Sequence, residues 1–255
     1  MERSMSNAYE TPEASLVNEN ISTGDYGSID KAIRGEYEFS IGSVLSEAWA
    51  KTGGSKWPIH LGFLYYFLVA IAVMFGLGIV MAGLMAVTEE PGVMILMQIV
   101  TQLGINLIAM PMIMGVVMMG IKRSVDAPIS ASMVFNNFSK MVPLFVTLIL
   151  MYIMMLIGFI LLVIPGIYLM IAYYMAMPLV VEKGMSPWQA METSRKAITH
   201  RWFSVFGLFI VMIIIITISA IPLGLGMIWT LPMLMIAYGI LYRNMFGVEA
   251  STVAE

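Results

Sequence analysis

Four stretches of this chain contain no charged residue, and their lengths constrain its fold more than any other feature. The stretches are residues 57–88, 91–121, 141–181 and 202–242. A helix crosses the hydrocarbon core of a bilayer with about 20 apolar residues, so each of the first two stretches accommodates one span. The last two contain 41 residues each. Such a stretch measures about 60 Å as a helix, twice the thickness of the core, so each must fold back once. The sequence therefore predicts an all-α membrane bundle of six transmembrane helices.

The composition also indicates a helical membrane protein. The chain is 60% hydrophobic and 11% charged, whereas a soluble domain contains about 25% charged residues. Its unbroken apolar runs differ from the strands of a transmembrane barrel, which alternate over about ten residues. Residues 1–38 are polar and acid-rich, which predicts a disordered or loosely held cytoplasmic tail without a cleavable signal peptide. We expect the six-span domain over residues 39–246 and a cytoplasmic C-terminal tail over residues 247–255.

The positive charges all lie on one side of the predicted spans. All 13 Lys and Arg residues fall in the segments 1–56, 122–140, 182–201 and 243–255. The connections near Glu89, Pro165 and Gly224 contain no Lys or Arg. Because cytoplasmic loops of membrane proteins concentrate Lys and Arg, this distribution predicts that both termini are cytoplasmic.

Proline and glycine residues mark the turns within the two 41-residue stretches. Pro165-Gly166 is a turn signal, so the fourth span is expected from about Ile167 to Val181. A break across residues 222–226 separates the fifth span from the sixth, which is expected over residues 227–242. Each of these two returning spans would measure roughly 23 Å as a helix, which is short for a bilayer core.

An amphipathic helix is expected in front of the first, third and fifth spans. These helices are predicted over residues 39–52, 126–141 and 186–202. In the third helix, Ser186 and Gln189 have the spacing of a capping box, and Pro187 occupies the first helical position. Its apolar residues recur on one face, as expected for a helix that lies along a membrane surface.

Each returning span carries a proline, namely Pro111, Pro178 and Pro232. Eleven residues separate Pro111 from Lys122, and eleven separate Pro232 from Arg243. We interpret the chain as three repeats of one unit, in which an amphipathic helix precedes a transmembrane hairpin.

Arg195 is the charged residue of greatest interest, because it projects near the apolar stripe of the third amphipathic helix. A charge at that depth requires a partner or a lipid headgroup. The candidate partners are Glu182, at the end of the fourth span, and Glu47, on the first amphipathic helix. In the alternative, Arg195 extends to a lipid phosphate together with Lys196 and Arg201.

A polar stripe runs along the second predicted span. Gln98, Gln102 and Asn106 are spaced i, i+4, i+8 and therefore share one helical face. These side chains could line a path for ions or a substrate, or they could hydrogen-bond to neighbouring helices within the bundle. A hydrated cavity beside them would favour the first interpretation, and bonds to adjacent helices would favour the second.

The sequence lacks the side chains on which most membrane enzymes depend. It contains no Cys, and its two His residues, His60 and His200, lie far apart in the chain. No Asp, Glu, Lys, Arg or His lies deep in a predicted span, which argues against a proton relay, a zinc protease and a Ser–His–acid triad. The 27 Met residues are spread over every span, as is typical of packing in a helical bundle. We therefore expect no enzymatic activity, no metal, no cofactor and no nucleic-acid partner.

The C-terminal part of the chain resembles a known family. The resemblance is carried by Val163-Ile164-Pro165-Gly166-Ile167-Tyr168, residues 176–186, Ser194-Arg195, Arg201-Trp202, Leu231-Pro232 and Tyr242-Arg243-Asn244. This pattern is similar to that of YciC-type bacterial inner-membrane proteins of unknown function, and of the membrane domain that precedes some bacterial glycerophosphodiester phosphodiesterases. It implies a multi-pass protein of the bacterial inner membrane without assigned catalysis. The phosphodiesterase domain has no counterpart here, so that activity is not implied.

These observations lead to two hypotheses of different classes. In the first, the chain is a non-enzymatic inner-membrane protein that binds lipids, or other membrane proteins, as a scaffold in envelope homeostasis. In the second, it is a small transporter or channel that uses the polar stripe of its second span.

Overall fold

The computed structural model describes residues 26–87 and 90–254, and all the regular secondary structure in these two ranges is helical. The α-helices are α1 Ile29–Arg34, α2 Ile41–Lys51, α3 Lys56–Met85, α4 Pro91–Ser124, α5 Met141–Leu161, α6 Val163–Ala172, α7 Ala176–Glu182, α8 Pro187–His200, α9 Trp202–Ala220, α10 Met227–Phe246 and α11 Ala250–Ala254. Most of the predicted tail and the predicted connection at Glu89 lie outside the described residues.

Five helical segments are long and apolar enough to cross a membrane, within the part of the chain that the structure describes. They are Lys56–Met85, Pro91–Ser124, Ala131–Leu161, Val163–Glu182 and Trp202–Ala220. The 20-residue α10 is not among the five, and its last two turns contain Tyr242, Arg243 and Asn244. The Lys56 ammonium lies 5.3 Å from the centroid of the Trp229 ring, so the first turn of α10 approaches the first turn of α3.

The fold-back within residues 141–181 occurs three residues earlier than the sequence predicts. Leu162 is extended, with φ −167° and ψ 154°, and it separates α5 from α6. Pro165 and Gly166 lie inside the first turn of α6, where proline is tolerated because the amide it lacks would have no helical partner. A Cβ on Gly158 would lie 3.1 Å from the Gly166 backbone, so α5 and α6 pack closely as a hairpin.

The fold-back between α9 and α10 occupies residues 221–226, which confirms the predicted break across 222–226. Gly224 adopts a left-handed conformation, with φ 77°. Gly226 then packs directly against Ser219, the penultimate residue of α9, so the two helices are antiparallel neighbours.

Ser194 of α8 hydrogen-bonds to the backbone at the break between α6 and α7. Residues 173–175 leave the helical path, which releases the carbonyl of Ala172 and the amide of Met175. The fully buried Ser194 hydroxyl donates to the Ala172 carbonyl at 2.7 Å and accepts from the Met175 N–H at 3.1 Å. Because buried backbone groups must be hydrogen-bonded, Ser194 stabilises this break and attaches α8 to it.

Helices α4 and α10 cross in direct backbone contact. A Cβ added to Gly120 would lie 2.1 Å from the Met235 carbonyl oxygen, and one added to Gly239 would lie 2.2 Å from the Gly120 carbonyl oxygen. Small residues at a crossing allow membrane helices to approach this closely. The crossing brings the C-terminal ends of α4 and α10 together, and the polar residues described below lie there.

The first and last of the three predicted amphipathic segments are α-helices, and the middle one is not. Helices α2 and α8 form as expected, although the Ser186 side chain makes no capping hydrogen bond at the start of α8. The middle segment forms two short 3-10 helices, Ala131–Phe135 and Phe138–Lys140. Its Ser and Asn side chains favour turns over a continuous α-helix, which accounts for the difference. The threefold repeat remains a prediction.

Both ends of the described chain pack against the bundle, in the regions where the sequence predicts a disordered or loosely held N-terminal tail and a C-terminal tail. The buried Tyr37 hydroxyl donates to the Ala197 carbonyl at 2.9 Å, and the His200 ring donates to the Ile33 carbonyl at 2.9 Å. At the other end, the buried Thr252 of α11 donates to Glu182 at 3.3 Å.

Candidate functional site

A layer of polar residues lies where α2, α4, α7 and α10 end, and its most connected member is Arg243. This residue is only 6% exposed although it carries a full charge. Its guanidinium donates to both oxygens of Glu47, at 2.7 and 2.9 Å, and to the carbonyl of Ser124 at 2.6 Å. The Tyr26 ring covers it with a centroid distance of 4.6 Å. Arg243 therefore joins α10 to α2 and to the last residue of α4.

The C-terminal end of α4 also holds the loop that follows α2. Arg123 donates to the carbonyls of Lys51 and Gly53, both at 3.0 Å. The Lys51 ammonium pairs with Asp126 and lies 3.8 Å from Glu47. These contacts attach α2 firmly to the end of α4.

Glu182, at the end of α7, organises a second part of the polar layer. Its side chain is completely buried. It accepts from the Tyr242 hydroxyl at 2.9 Å, from the Glu249 amide at 2.6 Å and from the Thr252 hydroxyl at 3.3 Å. The Lys183 ammonium lies 3.3 Å from Glu182 and 2.7 Å from the Glu249 carboxylate. Both oxygens of Glu182 are thus occupied by groups of the chain itself.

A polar pocket of about 510 Å³ opens beside Glu182. Its walls come from the end of α4, the segment of 3-10 helices, the end of α7 and α11. The wall residues that carry polar side chains include Lys122, Lys140, Ser130, Asn137, Ser139 and Glu182. Among the described residues, no group of three or more His, Asp or Glu side chains could hold a metal ion.

Arg195 pairs with a different carboxylate from the two predicted. It donates to both oxygens of Glu192, one helical turn away, at 3.0 and 2.8 Å. This fork lowers the pKa of the Glu192 carboxyl and raises the pKa of Arg195. The two expected partners are engaged elsewhere: Glu47 with Arg243, and Glu182 with Tyr242 and Lys183.

Lys196 and Arg201 are the other two residues predicted to contact lipid. Lys196 is exposed on α8. Arg201 follows α8 and pairs with Glu38 at 3.3 Å, which connects it to the segment before α2. Contact of either residue with a lipid stays a prediction.

The predicted polar stripe faces outward on the first half of α4. Gln98 and Gln102 are exposed, and Asn106 is half-buried. The Asn106 amide donates to the Gln102 carbonyl of its own helix at 2.8 Å. Within the described residues the stripe therefore makes none of the interhelical bonds expected for one hypothesis, and a path along it would require a second chain against α4.

Sequence reasoning did not identify Lys122, Lys140 or the Glu47–Arg243 pair as site residues. One signal was present, because Lys122 and Arg243 both stand eleven residues after a proline of a returning helix. Both are buried cations, at 3% and 6% exposure, at the ends of the two helices that cross. The choice of partner could not be read from that spacing.

No protein-family model, no curated protein and no solved structure matches this chain. The resemblance to YciC-type proteins therefore remains a prediction.

Proposed function

We propose that this chain is a non-enzymatic, six-span protein of a bacterial inner membrane, with both termini in the cytoplasm, that binds lipids or partner proteins as a scaffold in the envelope. The proposal is supported by a contrast between two surfaces. Large apolar side chains are exposed along α3, including Phe67, Phe75 and Ile79 at 56%, 72% and 68%. A continuous exposure of this kind is suited to lipid rather than to water.

The second of the two surfaces is polar and carries the charged residues. Every Lys and Arg of the chain precedes α3, begins it at Lys56, or falls in the segments that follow α4 and α7 or in the last turns of α4 and α10. This one-sided charge is the observation that carries the cytoplasmic orientation, because Lys and Arg are retained on the cytoplasmic side. The ion pairs of Arg243 and Glu182 make that side a rigid platform, as a scaffold requires.

The sixth span is the least supported element of the proposal. Helix α10 is 20 residues long, about 30 Å, which suffices to cross a bilayer core. The approach of Lys56 to Trp229 places the first turn of α10 beside the first turn of α3, and it argues against a start of α10 at the opposite face of the core.

Single-cysteine labelling in intact cells tests the topology directly, because the chain has no cysteine of its own. Leu225→Cys, in the exposed turn before α10, should react with an impermeant maleimide from outside. Ala250→Cys, exposed at the start of α11, should react only after the inner membrane is permeabilised. Labelling of position 250 from outside would mean that α10 does not cross, and both the six-span count and the cytoplasmic platform would be wrong.

The channel hypothesis has less support. Gln98 and Gln102 are exposed on α4, and the Asn106 amide is bonded within its own helix. A single chain therefore provides a wall on only one side of the stripe.

A further inference from the structure

The polar pocket contains a buried cation that no group in the described part of the chain neutralises. Lys122 is only 3% exposed, yet its ammonium makes no hydrogen bond or ion pair with any residue in the described ranges. An unpaired charge away from water is costly. No fully buried side-chain nitrogen or oxygen in those ranges lacks a partner, so the ammonium must reach the accessible space of the pocket that Lys122 lines.

The one carboxylate of the pocket wall does not supply the missing partner. Both oxygens of Glu182 accept hydrogen bonds from Tyr242, Glu249 and Thr252, and the Lys183 ammonium lies 3.3 Å away. The positive charge of Lys122 therefore acts on whatever occupies the pocket.

The rest of the wall has the chemistry of an oxyanion site. Lys140, half-buried, adds a second ammonium without a described partner. The 9%-exposed Asn137 contributes an amide that is likewise free of hydrogen bonds within the described ranges. Hydroxyl groups of Ser130 and Ser139 complete the polar wall. Ammonium and hydroxyl donors converging on one cavity suit a phosphate group, which carries several acceptor oxygens and up to two negative charges.

We propose that this pocket binds an anionic phosphate group, carried either by a lipid headgroup or by a soluble phosphorylated compound, with Lys122 as its principal contact. The volume of about 510 Å³ exceeds what one phosphate ion needs, so the ligand includes a further moiety. Met118, one turn before Lys122 on α4, also lines the pocket and offers an apolar surface to that moiety. The proposal deepens, and rests on, the lipid-binding role proposed above.

Binding is measured on the full-length protein, delipidated in a phosphate-free nonionic detergent. The probes are dioctanoyl phosphatidic acid, glycerol 3-phosphate, inorganic phosphate and dioctanoylglycerol, which lacks the phosphate. If only phosphatidic acid binds, the ligand is a lipid. If glycerol 3-phosphate or inorganic phosphate binds as tightly as phosphatidic acid, the ligand is a soluble compound. Either result supports phosphate recognition. Equal binding of dioctanoylglycerol, or binding of no probe, would overturn it.

Variants identify the site. Lys122→Met should weaken binding roughly 10- to 100-fold, since a hydrogen bond to a charged group is lost. Lys31→Met removes the same charge from an exposed position on α1, outside the pocket, and should leave binding unchanged. Unaltered binding by Lys122→Met would refute the assignment.

Thermal stability without ligand separates a binding role from a structural one. If Lys122 serves a ligand, Lys122→Met removes an unpaired buried charge, and the delipidated variant should melt at the same or a higher temperature than the parent. A clear loss of stability would mean that Lys122 has an internal partner, and the proposal would fail. These binding assays do not depend on the orientation of the protein in the membrane. If only the proposed topology is wrong, cysteine labelling contradicts it while phosphate binding persists. If only the phosphate site is wrong, the labelling agrees with the topology and no phosphate compound binds.

Discussion

Glu47→Ala should destabilise the protein mainly by stranding Arg243. The Arg243 side chain is 7% exposed, whereas the Glu47 side chain is 35% exposed. Removing one partner of a buried ion pair costs about 3–5 kcal/mol, because the remaining charge is neither paired nor hydrated. Arg243 retains its bond to the Ser124 carbonyl and its contact with the Tyr26 ring, so we expect the lower end, about 3 kcal/mol. For a chain of this size that corresponds to a melting temperature lower by roughly 6–12 °C.

The same reasoning predicts a rescue. Adding Arg243→Met to Glu47→Ala removes the stranded charge, and apolar replacement of a whole buried pair is often neutral. The double variant still leaves the Ser124 carbonyl without its donor, which costs about 1–3 kcal/mol. We therefore expect it to be more stable than Glu47→Ala alone, although less stable than the parent.

The chain provides a matched control for this experiment. Arg34 donates to both oxygens of Glu36 at 2.8 and 2.9 Å, nearly the geometry of the buried fork, but these side chains are 57% and 54% exposed. Glu36→Ala should leave the melting temperature unchanged, because solvent screens an exposed pair. Melting is followed by intrinsic fluorescence in detergent. A double variant that melts no higher than Glu47→Ala, or a Glu36→Ala shift of equal size, would refute the argument from burial.

Three further substitutions test other contacts by thermal melting. Ser194→Ala should cost about 2–4 kcal/mol, since two buried backbone groups lose their partner, while Ser46→Ala on exposed α2 surface should have no effect. Gly239→Ala should cost about 3 kcal/mol or more, because the new methyl group meets backbone, whereas Gly76→Ala, with open space around it, should not destabilise. The pair with Arg195 lowers the pKa of Glu192 in the folded protein below its ordinary value of 4.5. The stability that this pair contributes is therefore present above pH 4.5 and is lost as the pH falls through the pKa of the folded state. Glu192→Gln should therefore differ from the parent at neutral pH and converge with it in acid; a constant difference would contradict the Arg195 fork.

The membrane-spanning part of the fold was predictable because it follows from lengths. Charge-free stretches are either long enough to fold back or they are not, and the breaks at Leu162 and at residues 221–226 both fall within the 41-residue stretches. The exact position of the first break was not predictable from Pro165-Gly166, since proline serves a helix start as well as a turn. The sixth span was counted from length alone, and α10 is less apolar than the other five.

The partners of the charged residues were harder to predict, for a physical reason. Arg195 has a carboxylate three residues earlier on its own helix, and a bond to a near neighbour requires no particular packing of other elements. The Glu47–Arg243 pair joins residues 196 positions apart, so it depends on how α2 and α10 pack, and periodicity contains no information about that. The polar stripe on α4 shows the same difficulty, because its spacing defines a face but not what that face meets.

The two cations that stand eleven residues after a proline show how one arrangement serves two purposes. Arg243 meets a carboxylate from α2, and the pair joins three helices. Lys122 ends the neighbouring helix at the same offset, but the segment that follows it directs its own acid, Asp126, to Lys51. What remains beside Lys122 is a pocket of Ser and Asn side chains, and its one carboxylate, Glu182, is bonded to Tyr242 and Lys183. A buried cation with an internal partner stabilises the fold, whereas one without a partner raises the free energy of the empty protein and is stabilised when an anion binds. An available carboxylate is thus the feature that distinguishes the structural position of Arg243 from the binding position that we propose for Lys122.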